Sequence, residues 1–234
     1  MTEELDVVFF DLGGTLIDVS VPREQLWANV LSRHGKNVDL SRLAASIKAA
    51  DRDMDDHLAS IQGMDEEPFW LEFNSRVLEG VGVDVASEEV ASDLSRSFCR
   101  LVADEEKWRD YPDARPLLED LSHRDIKVGL ISNATNLARR VLRRLDLERY
   151  FDPIVISSEI GHRKPSREIF YTALDRAGAA PSRSIYIGDK PAVDVVGAKN
   201  AGMNAILVDR EDTFPGAQCF RVRDLEAIRT FVRV

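Results

Sequence analysis

The chain has 234 residues, 44% of them hydrophobic and 31% charged, and a formal net charge of −10. This length fits one large or two modest domains, and the composition is that of a soluble globular protein. The acidic balance disfavours a nucleic-acid or anionic-membrane partner, because the long-range field repels polyanions. No stretch approaches the roughly 18 apolar residues of a membrane span, and the acidic N-terminus lacks the basic and apolar regions of a signal peptide. A cytoplasmic protein is expected, monomeric or homodimeric, in which any anionic substrate is held by local charge. The two cysteines, Cys99 and Cys219, have no Cys or His at ligand spacing, so buried thiols are expected rather than a disulfide or a zinc site.

In chain order, Val7 to Phe10 is a short apolar run suited to a strand buried on both faces, ending at Asp11, Gly13, Gly14 and Thr15. Residues 18–22 read as a connector. The following stretch shows no strand pattern and reads as four amphipathic helices: Pro22 to His34, Leu40 to Ile61, from Pro68 to Gly80, and from Ser87 past Val90 to Val102. Leu43, Ile47, Met54, Leu58 and Ile61 repeat at helical spacing in the second. Short turns between such helices suggest an antiparallel bundle whose aromatic stripes form its core.

From Tyr111 onward helices and strands alternate. A helix over Arg115 to His123 precedes the apolar run Val128 to Ile131, which ends in Ser132-Asn133. A helix carrying Leu137, Val141 and Leu142 leads to Ile154 to Ile156. A loop through Lys164-Pro165 opens the next helix, with Ile169, Phe170 and Leu174 facing inward. Ile185 to Ile187 ends in Gly188-Asp189. A helix over Pro191 to Ala201, a strand over Ala205 to Val208, a short strand near Phe220 and a final helix from Asp224 to Val232 complete the chain. This alternation argues for an α/β fold with a parallel sheet, in which the helical bundle is an insertion after the first strand. The clustered Arg139, Arg140, Arg143 and Arg144 read as the solvated face of their helix.

In a parallel sheet Asp11, Ser132-Asn133 and Asp189 all lie at one edge, joined by Lys164 and Asp194. Three carboxylates in one crevice repel unless protons or a cation compensate them, and an oxygen-rich, histidine-poor cluster suits Mg²⁺. Ser132, the backbone at Gly14, Thr15 and Asn133, and the Lys164 ammonium can then hold an anion. Each residue also has a structural reading: Ser132 as a helix cap, Lys164 as surface charge, Asp194 as a first-turn carboxylate. All of these together would require several coincidences.

At these positions the chain resembles the haloacid dehalogenase superfamily. Asp11-Leu12-Gly13-Gly14-Thr15 is similar to its first motif, Leu130 to Asn133 to its second, Lys164-Pro165 to its third, and Gly188-Asp189 with Asp194 to its fourth. The resemblance covers essentially the whole chain. It implies a Rossmann-like three-layer parallel-sheet core over residues 1–17 and 109–234, with a type 1 helical-bundle cap over 18–108 that closes over the site. It further implies a phosphatase acting on a small phosphorylated metabolite. Asp11 would be the nucleophile. Mg²⁺ would sit on Asp11, the Gly13 carbonyl, Asp189 and Asp194, with Gly14, Thr15, Ser132, Asn133 and Lys164 on the phosphate.

One departure bears on mechanism. The family's phosphatases carry an Asp at the position of Gly13 as general acid and base, its dehalogenases a Tyr, and its phosphonate hydrolase an Ala with a cap lysine. None of these patterns is met, although Lys36, Lys48 and Lys107 lie in or near the cap. Without that side chain the enzyme is expected to be slow on alkyl phosphates. A phospho-ligand-binding pseudoenzyme and a dehalogenase-type hydrolase acting at carbon are the alternatives.

Overall fold

The structure, a computed structural model, describes residues 5–61, 66–83, 88–124 and 126–232. It divides into two compact units, one formed by Met1–Asp18 with Arg109–Val234 and the other by Val19–Trp108. Ile17–Val19 (β2) and Trp108–Asp110 (β3) pair as a two-stranded sheet where the chain passes from one unit to the other. The first unit is built on β1, Val7–Phe10.

The second unit holds α1 (Arg23–Arg33), α2 (Leu40–Ile61), α3 (Glu66–Gly80) and α4 (Glu88–Val102). Consecutive helices pack on one another and α1 meets α4, which closes a four-helix bundle. Leu26, Trp27, Leu31, Leu43, Met54, Phe73, Leu78, Leu94 and Phe98 form its core, and Trp27 stacks on Phe98 with ring centroids 4.6 Å apart. The expected inward side chains of Leu58, Ile61 and Val90, and the expected helix start at Ser87, lie outside what is described.

The first unit continues through α5 (Ala114–Ser122), β4 (Lys127–Ser132), α6 (Leu137–Arg144), β5 (Ile154–Ile156), α7 (Ser157–Ile160) and α8 (Arg167–Ala177). It ends with β6 (Ser184–Gly188), α9 (Gly197–Asn200), β7 (Asn204–Val208) and β8 (Phe220–Val222). The six strands run parallel in the order β5-β4-β1-β6-β7-β8. Strand side chains alternate between faces. Val7, Phe9, Ile131, Val155 and Tyr186 thus share one apolar cluster with Ile169, Phe170 and Leu174 of α8 and Ala198 of α9, while α5 packs against β4. The result is the Rossmann-like arrangement of a parallel sheet with flanking helices.

Four local expectations need correction. The connector at 18–22 overlaps a strand, because β2 and β3 have three residues each and are too short to show any period. The helix expected over 224–232 is only a 3₁₀ turn, Glu226–Thr230; buried Leu225 and Ile228, three residues apart, suit that tighter turn equally well. The helix expected over 191–201 opens as a π turn, Pro191–Val196, before α9. Cys99 and Cys219 are half-buried rather than buried, and they form no disulfide.

Candidate active site

β1 ends at Phe10, one residue before Asp11. The Asp11 N–H still donates to the Ile187 carbonyl at 2.8 Å, so the carboxylate is fixed one residue beyond the last strand pair, Phe10 with Ile187. The backbone then turns sharply. Leu12 O accepts from Leu16 and Ile17 N–H at 2.9 and 3.0 Å, the Gly14 N–H donates to Ile17 O at 2.8 Å, and Gly14 has φ +81°. Gly13 is bridged to Ile17 within this turn. Gly14 passes so close to Asp189 that an added Cβ would lie 2.5 Å from its Oδ2. The Thr15 hydroxyl reaches Asp189 Oδ1 at 3.5 Å, at the limit of a hydrogen bond.

β1 and β4 pair in register, Phe10 opposite Leu130, which brings buried Ser132 to the same edge. The Asn133 side chain is committed to the lysine loop: its Oδ1 accepts from Lys164 N at 2.8 Å and its Nδ2 donates to Lys164 O at 2.9 Å. The Lys164 side chain is buried, and its ammonium donates to Asp11 Oδ1 at 2.6 Å, Asp194 Oδ1 at 2.7 Å and the Tyr186 hydroxyl at 2.7 Å. The π turn after β6 folds Asp194 back, and its Oδ2 accepts the Lys190 N–H at 2.9 Å.

Asp11, Asp189 and Asp194 offer oxygen atoms all within 4.8 Å of one another. Asp11 and Asp194 are buried and Asp189 is half-buried. Burial pushes the Asp11 carboxyl above the ordinary range, against the pull of Lys164. Burial lifts Asp189 further, with Lys190 opposing and the charges of Asp11 and Asp194 adding to the rise. Burial works against the Lys164 charge too, yet Asp11 and Asp194 outweigh it and hold its pKa at about 12. The cluster therefore has surplus negative charge confined in a small volume, and an oxygen-only donor set with no His or Cys among the described residues. That chemistry fits a hard divalent cation.

The sequence profile of the haloacid dehalogenase-like hydrolases matches residues 5–202. The chain belongs to this family. Its sheet-bearing unit has the Rossmann-like core common to haloacid dehalogenase-like proteins. Haloacid dehalogenase-like hydrolase domain-containing protein 3 of Xenopus laevis is 26% identical over 87% of this chain and 84% of its own length. Glyceraldehyde 3-phosphate phosphatase of Methanothermobacter thermautotrophicus is 42% identical over 45% of this chain; the match spans about half of that protein, 47%. The magnesium-bound hydrolase YfnB of Bacillus subtilis has the same fold, with TM-score 0.76 at 16% identity over 99% of this chain and 100% of its own.

Two groups at this haloacid dehalogenase-like site carry no motif signature. Tyr186 lies inside β6 and places its hydroxyl on Lys164; a phenol between the apolar Ile185 and Ile187 of a buried strand was the available signal, since a buried hydroxyl needs a partner. Arg210, after β7, donates to the Thr15 carbonyl at 2.9 Å and grips Asp113 through both terminal nitrogens, each at 2.9 Å. Nothing in the sequence pairs residues so far apart.

Proposed function

We propose that this hydrolase is a phosphatase that cleaves a small phosphorylated metabolite through an aspartyl-phosphate on Asp11, with Mg²⁺ as cofactor. The observation that carries the reading is the buried Lys164 ammonium, 2.6 Å from Asp11 and 2.7 Å from Asp194. A cation shared between two carboxylates can exchange one of them for a phosphoryl oxygen without leaving its place. The name of the archaeal relative supports the same reaction class and puts three-carbon phosphates first among test substrates.

Asp11, the Gly13 carbonyl and Asp189 would hold Mg²⁺. Asp194 would join through water, because its two oxygens already accept from Lys164 and from the Lys190 N–H. When bound, the ion polarises a phosphoryl oxygen and offsets its charge. An Asp11 oxygen attacks phosphorus, the bond from phosphorus to the ester oxygen breaks, and the leaving oxygen takes the electron pair. Lys164, Ser132 and the backbone N–H groups of Thr15 and Asn133 hold the phosphoryl oxygens, whereas the Gly14 N–H, expected to join them, is already given to the Ile17 carbonyl. Water then attacks phosphorus, the bond to Asp11 breaks, and inorganic phosphate and the free carboxylate result.

Position 13 offers no side chain to protonate the leaving oxygen. A positioned acid or base typically contributes about 10²–10⁴-fold, so an aryl phosphate should outrun an alkyl phosphate by a margin of that order. The test is p-nitrophenyl phosphate against glyceraldehyde 3-phosphate under saturating Mg²⁺. Gly13→Asp should raise the alkyl rate, and Asp11→Asn should lower both rates by roughly 100-fold or more with an unchanged circular dichroism spectrum. Similar fast rates on both substrates with no gain from Gly13→Asp would show that another residue supplies the proton. Phosphate binding without turnover on either substrate would favour a phospho-ligand-binding pseudoenzyme, the reading that Gly13 itself favours next.

A further inference from the structure

We infer that Tyr186 is a positioning residue for Lys164, an assignment that deepens the phosphatase reading and rests on it for its kinetic consequence. An ammonium has three N–H donors and no acceptor. At Lys164 they have three acceptors: Asp11 Oδ1 at 2.6 Å, Asp194 Oδ1 at 2.7 Å and the Tyr186 hydroxyl at 2.7 Å. The phenol in turn lies 3.0 Å from the Ile131 carbonyl and 3.2 Å from Asp194 Oδ1. With its oxygen accepting from Lys164, its own proton goes to the nearer Ile131 carbonyl, and every group in the network is satisfied.

The hydroxyl is rigidly placed. Tyr186 is fully buried in β6, and its ring meets Phe170 of α8 edge-on, with centroids 5.3 Å apart and planes at 82°. Asn133 holds the lysine's backbone from both sides. The residue is therefore fixed at its root by Asn133 and at its tip by Tyr186. Of the three contacts at the tip, only the one to Asp11 must give way when a phosphoryl group arrives; those to Asp194 and Tyr186 keep the ammonium aimed at that point. Without the phenol, the ammonium has only two anionic acceptors and can settle between them. The contact that strengthens as charge develops on phosphorus is then lost, whereas ground-state binding changes little.

Tyr186→Phe keeps the ring and removes the oxygen. It should lower kcat on p-nitrophenyl phosphate about 10- to 100-fold, the size of one hydrogen bond to a charged group, with KM within about threefold of wild type. In a Lys164→Met background the same substitution should cost less than about twofold, because a residue acting through Lys164 has nothing left to position. Equal losses in both backgrounds, or a loss confined to KM, would overturn the assignment. A second measurement needs no turnover. The acylation rate of Lys164 by an amine-reactive reagent, read by mass spectrometry and normalised to exposed Lys199, should rise about 3-fold or more in Tyr186→Phe. An unchanged rate overturns the assignment even if the wild type hydrolyses no phosphate ester, so the two readings fail separately.

Discussion

An added Cβ at Gly14 would meet Asp189 Oδ2 at 2.5 Å, and the φ of +81° is one that side chains adopt at a cost of about 1–2 kcal/mol. The turn after β1 thus comes into direct contact with a carboxylate that β6 delivers. On the Mg²⁺ reading, the ion at ten times its Kd adds about 1.4 kcal/mol of stability, a rise of a few degrees in melting temperature. Asp189→Asn should abolish most of that rise. Gly14→Ala should displace Asp189 and weaken Mg²⁺ binding about 10- to 100-fold, comparable to the loss of a partner that orients a ligand. Calorimetric titration of the three proteins measures both effects. A wild type that binds no Mg²⁺ at millimolar concentration would falsify the metal assignment.

At the scale of elements, the loop after β7 anchors three segments of the core. Arg210 pairs with Asp113, the residue that opens α5, and its guanidinium lies 3.7 Å from the centroid of the Tyr111 ring. Asp113 also accepts the Leu225 N–H at 2.8 Å, and the Tyr111 hydroxyl donates to Asp18 at 2.9 Å. Burial disfavours the Asp113 charge, but the hydrogen bonds from Arg210 and Leu225 outweigh it and lower its pKa. A lowered folded-state pKa contributes stability that is present above the unfolded value of about 3.9 and lost as pH falls through the folded value. Asp113→Asn should therefore cost about 2 kcal/mol near neutral pH, or about 4–8 °C in melting temperature. The gap from wild type should narrow below about pH 4. A gap of constant size from pH 7 to pH 3 would show that the charge contributes nothing.

At the scale of the whole molecule, each unit has its own apolar core, one around Trp27 and Phe98 and the other around Phe9 and Tyr186. Separate cores allow separate unfolding steps. The three tryptophans, Trp27, Trp70 and Trp108, all lie in Val19–Trp108, whereas the three clustered carboxylates lie in the sheet-bearing unit. Urea unfolding followed by tryptophan fluorescence should therefore report the helical unit, and circular dichroism should report both. Mg²⁺ should move the circular-dichroism transition to higher urea by more than it moves the fluorescence transition. Coincident transitions that shift together would show that the two units unfold as one.

The sequence by itself determined the α/β class, the positions of the principal strands along the chain and the residues at their ends. Strands buried on both faces read as unbroken apolar runs, and such a run that stops at Asp11, Ser132 or Asp189 marks a sheet edge without any knowledge of pairing. Parallel strands share one direction, so those ends must meet. Only the tertiary structure decided what the ends do to one another. The Lys164 ammonium lies between carboxylates 153 and 30 residues away and on a phenol 22 residues away, and Arg210 reaches Thr15 across 195 residues. Contacts of that range leave no period in the chain. The three-residue strands β2 and β3 were hidden for the opposite reason, being too short to establish a period at all.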